Sequence, residues 1–175
     1  MGDLYMAISH GCAAGFHREM FENIYWKRIQ RMEISGQEYY STETLNAFGS
    51  DLAALIGFFE QITLFDGPFE RPVTTLLEHR HPFVLSQASI ALRSLGRLTE
   101  ALDPLWASFR LREKNGDVAG ATVAAVNLSE MLLLRGRLHE AHDAAQRARD
   151  LAEKTKNNFM VMVFSRLTIC RSLLI

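Results

Sequence analysis

The chain writes nearly the same six letters twice, GRLTEA at residues 96–101 and GRLHEA at residues 136–141, 40 residues apart. A period of that length marks stacked supersecondary units, none of which buries its apolar face alone. Each letter has a physical task. Gly96 and Gly136 follow the apolar runs IALRSL and MLLLR and precede runs of helical spacing. Glycine there can take the left-handed conformation that ends a helix. Leu98 and Leu138 then open the next helix on its buried side. Ala101 and Ala141, three residues on, give that face a small side chain where two helices approach closely. The motif reads as the corner of a helix–turn–helix pair.

The runs after each corner fit. Leu98, Ala101, Leu102, Leu105 and Phe109 fall at helical spacing, as do Leu138, Ala141, Ala145, Ala148 and Ala152. On the charged faces, Asp143 with Arg147 and Arg149 with Glu153 are i,i+4 pairs. Earlier in the chain, GFHREM offers a corner at Gly15 and IGFFEQ one at Gly57. The corners 15, 57, 96 and 136 are spaced by 42, 39 and 40 residues. The second lacks the alanine, and FDGPFERP interrupts the helical pattern soon after it.

Local chemistry sets the helix boundaries. Ser41 is expected to cap a helix running to about Ile56. Pro82 suits the first turn of a helix ending near Leu95. Asp117 caps the next, which reaches Arg135. Asn157 or Asn158 caps a last one through FMVMVFSRLTICRSLLI. Almost nothing alternates as a strand does, so the expected class is all-α, about nine helices in antiparallel pairs.

Composition narrows the function. The chain has 175 residues, 48% of them hydrophobic and 22% charged, as in a soluble globular protein. Its net charge of −1 argues against nucleic acid and against an anionic membrane as partners. Lys27, Arg28 and Arg31 read as a solvated helix face. The start, MGDLYMAISHGCAAGF, lacks a positive n-region and carries Asp3, which makes a poor signal peptide. Met6 stands where the myristoylation pattern needs Ser or Thr. No apolar run reaches transmembrane length. Cys12 and Cys170 form no C-x-x-C and no zinc spacing, and are expected as reduced thiols in a cytoplasmic protein.

The segments NLSEMLLLRGRLHEA (127–141) and QASIALRSLGRLTEA (87–101) resemble tetratricopeptide repeats. That family places a small residue in the first helix, then glycine, an aliphatic or aromatic residue two on, and alanine five on. The period near 40 is similar to the long-helix variety found in kinesin light chains and in sensor regions of bacterial STAND-type signalling ATPases. The combination YWKRIQR, LNAFGSDLAALIGFFE and LRSLGRLTEAL looks particularly like the second kind. The likeness is strong over residues 83–156 and looser elsewhere. It implies one α-solenoid domain over 1–175, a right-handed superhelix of about four and a half repeats: 1–40, 41–80, 81–116, 117–156 and a half repeat 157–175. First helices would line a concave groove that takes a peptide or a helix of a protein partner. A small-molecule sensor with an enclosed pocket is the alternative.

By register from the glycine, the resemblance puts Phe83, Ser86, Gln87, Ile90 and Arg93 in the groove in one repeat. In the next it puts Val123, Val126, Asn127, Glu130 and Leu133 there. Asn127 is the most specific, since its amide can bond a ligand backbone; the other possibility is a bond to a neighbouring helix. His79, Arg80 and His81 have no carboxylate or cysteine at ligand spacing and read as a polar loop. His139 and His142 flank an exposed charged face. Phe48, Phe58, Phe59, Phe65 and Phe69 read as packing, with residues 60–72 a loop over them. No nucleophile–base pair and no phosphate-binding loop is present, so neither catalysis nor a cofactor or metal is expected.

The next corner glycine is due at residue 176, one past Ile175. The last helix is therefore expected to be half a repeat, with Met160, Val163, Phe164, Leu167, Leu174 and Ile175 apolar and uncovered. A fragment of a longer protein, or a homodimer through Phe164, Leu167, Leu174 and Ile175, is the expectation.

Overall fold

The computed structural model describes residues 1–32, 40–60 and 69–155. Among them no strand forms, and helices adjacent in sequence pack on one another. The chain divides into two compact units, Met1–Pro104 and Leu105–Ile175.

In the first unit, α1 (Gly2–Ala13) ends at Gly15, whose φ is +86°. The short α2 (His17–Glu19) runs straight into a π-helix, Met20–Ile29. Its hydrogen bonds close one residue later than in an α-helix, as between the Gln30 N–H and the Tyr25 carbonyl at 2.8 Å. Residues four apart therefore share a face, and Phe21, Tyr25 and Ile29 are all buried. A π-helical turn, Tyr40–Thr44, leads to α3 (Phe48–Leu55) and a 3₁₀ turn, Ile56–Phe58. Ser41 caps no helix. Ala47 precedes α3, and the Ser41 hydroxyl is buried against Gln30 instead.

Gly57 is not a left-handed corner. It sits in the 3₁₀ turn, and a Cβ there would lie 2.8 Å from the Cys12 Cβ. The glycine is needed for the close approach of that turn to α1. An isolated antiparallel bridge then pairs Phe59 with Pro72. Phe59 and Phe69 meet edge to face at 5.3 Å, so these rings pack as core. Phe65 lies outside the described residues.

A 3₁₀ turn, Glu78–Arg80, feeds α4 (His81–Ser94), with Pro82 in its first turn. Arg80 lies at 3.9 Å over the Trp26 ring and bonds Glu22 at 2.9 Å, so the His-Arg-His stretch is tied to the π-helix. α4 is buried nearly all round, as a core helix is. Gly96 (φ +75°) ends it, and α5 (Leu98–Lys114) begins. Ser89 Oγ donates to the Ala101 carbonyl at 2.9 Å, and Ala101 is fully buried. The units part at Pro104, within α5. Proline has no N–H, so the helix loses one of its hydrogen bonds there.

In the second unit α5 ends at Gly116 (φ +70°). Asp117 caps α6 (Val118–Leu134), its Oδ1 accepting from the Gly120 N–H at 2.9 Å. Gly136 (φ +70°) turns the chain into α7 (Leu138–Thr155). α6 and α7 meet along small side chains: Ala121, Ala124 and Ala125 are buried on one, Ala141, Ala144 and Ala148 on the other. The packing stripe is displaced from the expected one. Leu138 is 45% exposed, whereas Ala144 and Leu151 are buried. Arg147 does not turn to Asp143; it bonds Glu113 of α5 at 2.9 Å, while Arg149 and Glu153 pair at 3.0 Å as expected.

Four corners share one hydrogen-bond pattern. The N–H groups of Gly15, Gly96, Gly116 and Gly136 each bond the carbonyl three residues back, at 2.9 to 3.1 Å. The next residue's N–H bonds the carbonyl five back, at 2.9 Å in every case. This is the Schellman closure, which satisfies carbonyls a helix end leaves orphaned.

Candidate functional site

The expected groove residues are placed differently on the two helices. On α4, Phe83 is interior, edge to face with Trp26 at 5.0 Å and near Phe21 at 6.1 Å. Ser86 is buried, and Gln87 is completely so, with neither Nε2 nor Oε1 finding a hydrogen-bond partner. Ile90 and Arg93 are half-buried. On this helix the first three expected positions belong to the core, and only the last two approach the surface.

On α6 four of the five expected positions reach the surface and Val126 does not. Val123 is 42% exposed, Asn127, Glu130 and Leu133 are half-buried, and Leu134 is 62% exposed. Val123, Asn127, Glu130 and Leu134 lie at i, i+4, i+7 and i+11, which is one stripe of an α-helix. Val126, one residue off the stripe, is buried. Asn127 makes no side-chain hydrogen bond to another described residue. The stripe has apolar ends and a polar middle.

Beside this helix, the second unit holds a cleft of about 410 Å³ lined by Glu113, Lys114, Gly116, Val118, Ala121, Arg147, Leu151 and Lys154. Val118, Ala121 and Leu151 supply its apolar lining, and the charged residues stand around them. The Arg147 guanidinium is already held by Glu113. His139 and His142 are both exposed on α7, and among the described residues no three His, Cys, Asp or Glu side chains converge as metal ligands. Also among the described residues, no helix is long and apolar enough to cross a membrane.

A polar cluster that the sequence did not announce lies inside the first unit. Tyr25 Oη donates to Asp51 Oδ2 at 2.9 Å. Gln30 Nε2 donates to Tyr25 Oη at 3.0 Å and to Ser41 Oγ at 2.6 Å, and the Ser41 N–H donates to Gln30 Oε1 at 3.2 Å. Asp51 is 0% exposed. Burial pushes its carboxyl up from 3.8 to about 6, against the pull of the Tyr25 hydrogen bond and of the nearby Ser41 and Tyr5 hydroxyls. Burial likewise raises Tyr25, with the Asp51 charge adding to it. Tyr5 Oη and Asp51 Oδ1 are both buried without a hydrogen-bond partner among the described residues. The one signal in the sequence is Asp51 itself, a lone charge within the apolar helix FGSDLAAL.

Phe164, Leu167, Leu174 and Ile175, together with Met160, Val163 and Cys170, lie outside the described residues. Comparison with protein-family models, with curated proteins and with solved structures finds no match.

Proposed function

We propose that the chain is a non-catalytic interaction scaffold of the tetratricopeptide type, binding a peptide or helix of a protein partner. Its first-helix face on α6 is the binding surface. The observation that carries this reading is the open stripe of Val123, Asn127, Glu130 and Leu134 on a helix whose other faces are buried. Asn127 stands in its middle with an amide that bonds no other described residue, as an amide must if it is to meet a ligand backbone. The repeated corners support it as well, because each fixes a helix pair without help from a ligand. A rigid face binds without the cost of ordering. The enclosed-pocket alternative is the weaker reading, because the cleft at the end of α5 has a charged rim.

The test is capture from a cell extract by the wild-type chain and by Asn127→Ala and Val123→Asp, followed by calorimetry with the captured partner. A partner held by the wild type and weakened at least tenfold by both substitutions supports the reading. Equal affinity for all three proteins overturns it.

A further inference from the structure

Asp51 is the end of a buried hydrogen-bonded chain that joins α3, the π-helix and the Tyr40–Thr44 turn through Tyr25, Gln30 and Ser41. It stands on α3, where the π-helix reaches it through the Tyr25 hydroxyl at 2.9 Å; the Tyr5 hydroxyl of α1 and the Ser41 hydroxyl of the Tyr40–Thr44 turn also favour its charged form. Gln30 links Tyr25 to Ser41, bonding both. α4 also packs on α3, and its ionisable groups are His81 and Arg93; the Ile56–Phe58 turn has none. Neither group of α4 is among the causes of the Asp51 shift, and the carboxyl's hydrogen-bond partner is Tyr25. Arg80, in the neighbouring aromatic layer, is held by Glu22. Among the described residues the buried carboxyl thus has a hydroxyl donor, Tyr25, and no cation paired with it.

An anion in that position is costly, since hydroxyl dipoles alone must replace water. A neutral carboxyl is not, and it gains a proton to donate. The backbone next to the cluster is also held under strain. Arg31 and Asn46, neither of them glycine, take left-handed conformations with φ of +54° and +50°. Arg31 follows Gln30 directly, and its guanidinium lies 4.5 Å over the Tyr40 ring. Such conformations persist only where surrounding contacts over-determine them. The contacts available here include the Gln30–Ser41 clamp.

We propose that Asp51 is a proton-operated latch: protonated, it holds the π-helix on α3 through Tyr25, and the Tyr40–Thr44 turn through Gln30, and on losing its proton it frees the Gln30–Ser41 clamp. The switch lies within unit 1 and does not depend on the interaction reading.

The full chain carrying Trp106→Phe tests this, because Trp26 is then its one tryptophan and sits against Phe21 and Phe83. Trp26 emission followed from pH 5 to pH 8 is expected to show one transition centred near the carboxyl's value of about 6. Asp51→Asn abolishes it. Tyr5→Phe moves it to higher pH, since the Tyr5 hydroxyl favours the anion. Hydrogen exchange, corrected for intrinsic rate, shows the Gln30 and Ser41 amides protected at pH 5.5 and at least tenfold less so at pH 7.5 in the parent only. If circular dichroism shows Asp51→Asn unfolded, the Tyr5→Phe shift and the exchange data decide. A transition surviving in a folded Asp51→Asn chain, a Tyr5→Phe midpoint that stays or falls, or unchanged protection overturns the proposal.

Discussion

Arg97 grips Glu100 with both prongs of its guanidinium, Nε to Oε1 at 2.8 Å and Nη2 to Oε2 at 2.5 Å. Arg137 and Glu140 repeat the fork at 2.7 and 2.5 Å. The recurring R-x-x-E of the two hexapeptides is therefore one geometry used twice. It closes the first turn of α5 and of α7, just after the left-handed glycine. Both pairs are more than 40% exposed, so solvent screens them.

That exposure sets the first prediction. Arg137→Ala is expected to cost well under ~1 kcal/mol, the ordinary worth of a surface pair. Gly136→Ala should cost more, about 1–2 kcal/mol, because an alanine must hold a left-handed conformation. No atom lies within 4 Å of a Cβ built there, so that cost is purely conformational. Urea unfolding of the two variants gives the ranking. An Arg137→Ala loss equal to or above that of Gly136→Ala would show that the fork, not the glycine, makes the corner.

The small residues of the motif give the second. Ala101 is 0% and Ala141 3% exposed. Ala101→Phe and Ala141→Phe each force a ring into a closed helix contact, and about 1–3 kcal/mol of destabilisation is expected from overpacking. Thermal melts unchanged in both variants would show that the helices do not meet there.

The corners and helices of residues 81–155 are legible because local chemistry decides them. Pro82, Gly96, Asp117 and Gly136 each act within one turn of chain, and each takes the role its type implies. Gly116, which also ends a helix with positive φ, stands beside the cap Asp117 and has no six-letter echo. The first unit is harder to read. Its π-helix leaves no mark in the spacing, because Phe21, Tyr25 and Ile29 at i, i+4 and i+8 also read as an α-helical face. Gly57 looks like a corner by spacing alone, but its reason is Cys12, a residue 45 positions earlier. Leu138 misleads because a stripe extrapolated from the first residue of a helix drifts off the buried face; that face of α7 follows Ala141, Ala144, Ala148 and Leu151. The Asp51 cluster joins three separate segments by hydrogen bonds, and no local pattern encodes such a meeting.

Cys12 supplies the third prediction. Burial pushes its thiol up to about 12, so it carries almost no thiolate near neutral pH. In a Cys170→Ser chain, Cys12 is the one thiol left. It should resist a thiol reagent at pH 8 in the native state and react at the rate of a free cysteine in denaturant. Rapid native labelling would mean that the approach of Gly57 to α1 opens readily.

The last prediction concerns stability against pH. Folding raises the Asp51 carboxyl from 3.8 to about 6, so the fold prefers the protonated form. The stabilisation linked to that proton is complete below pH 3.8 and is lost as pH rises through about 6. The rise corresponds to on the order of 3 kcal/mol. Asp51→Asn keeps the shape and removes the charge. Relative to wild type, it should be more stable at pH 7.5 by up to about 3 kcal/mol. The advantage should shrink steadily below pH 6 and reach zero only as pH falls below 3.8. Urea titrations followed by Trp26 in the Trp106→Phe background, at pH 4.5 and 7.5, measure both differences within the first unit. An Asp51→Asn chain less stable at pH 7.5 than at pH 4.5, by as much as the wild type is, would remove the carboxyl from any account of this unit's pH dependence.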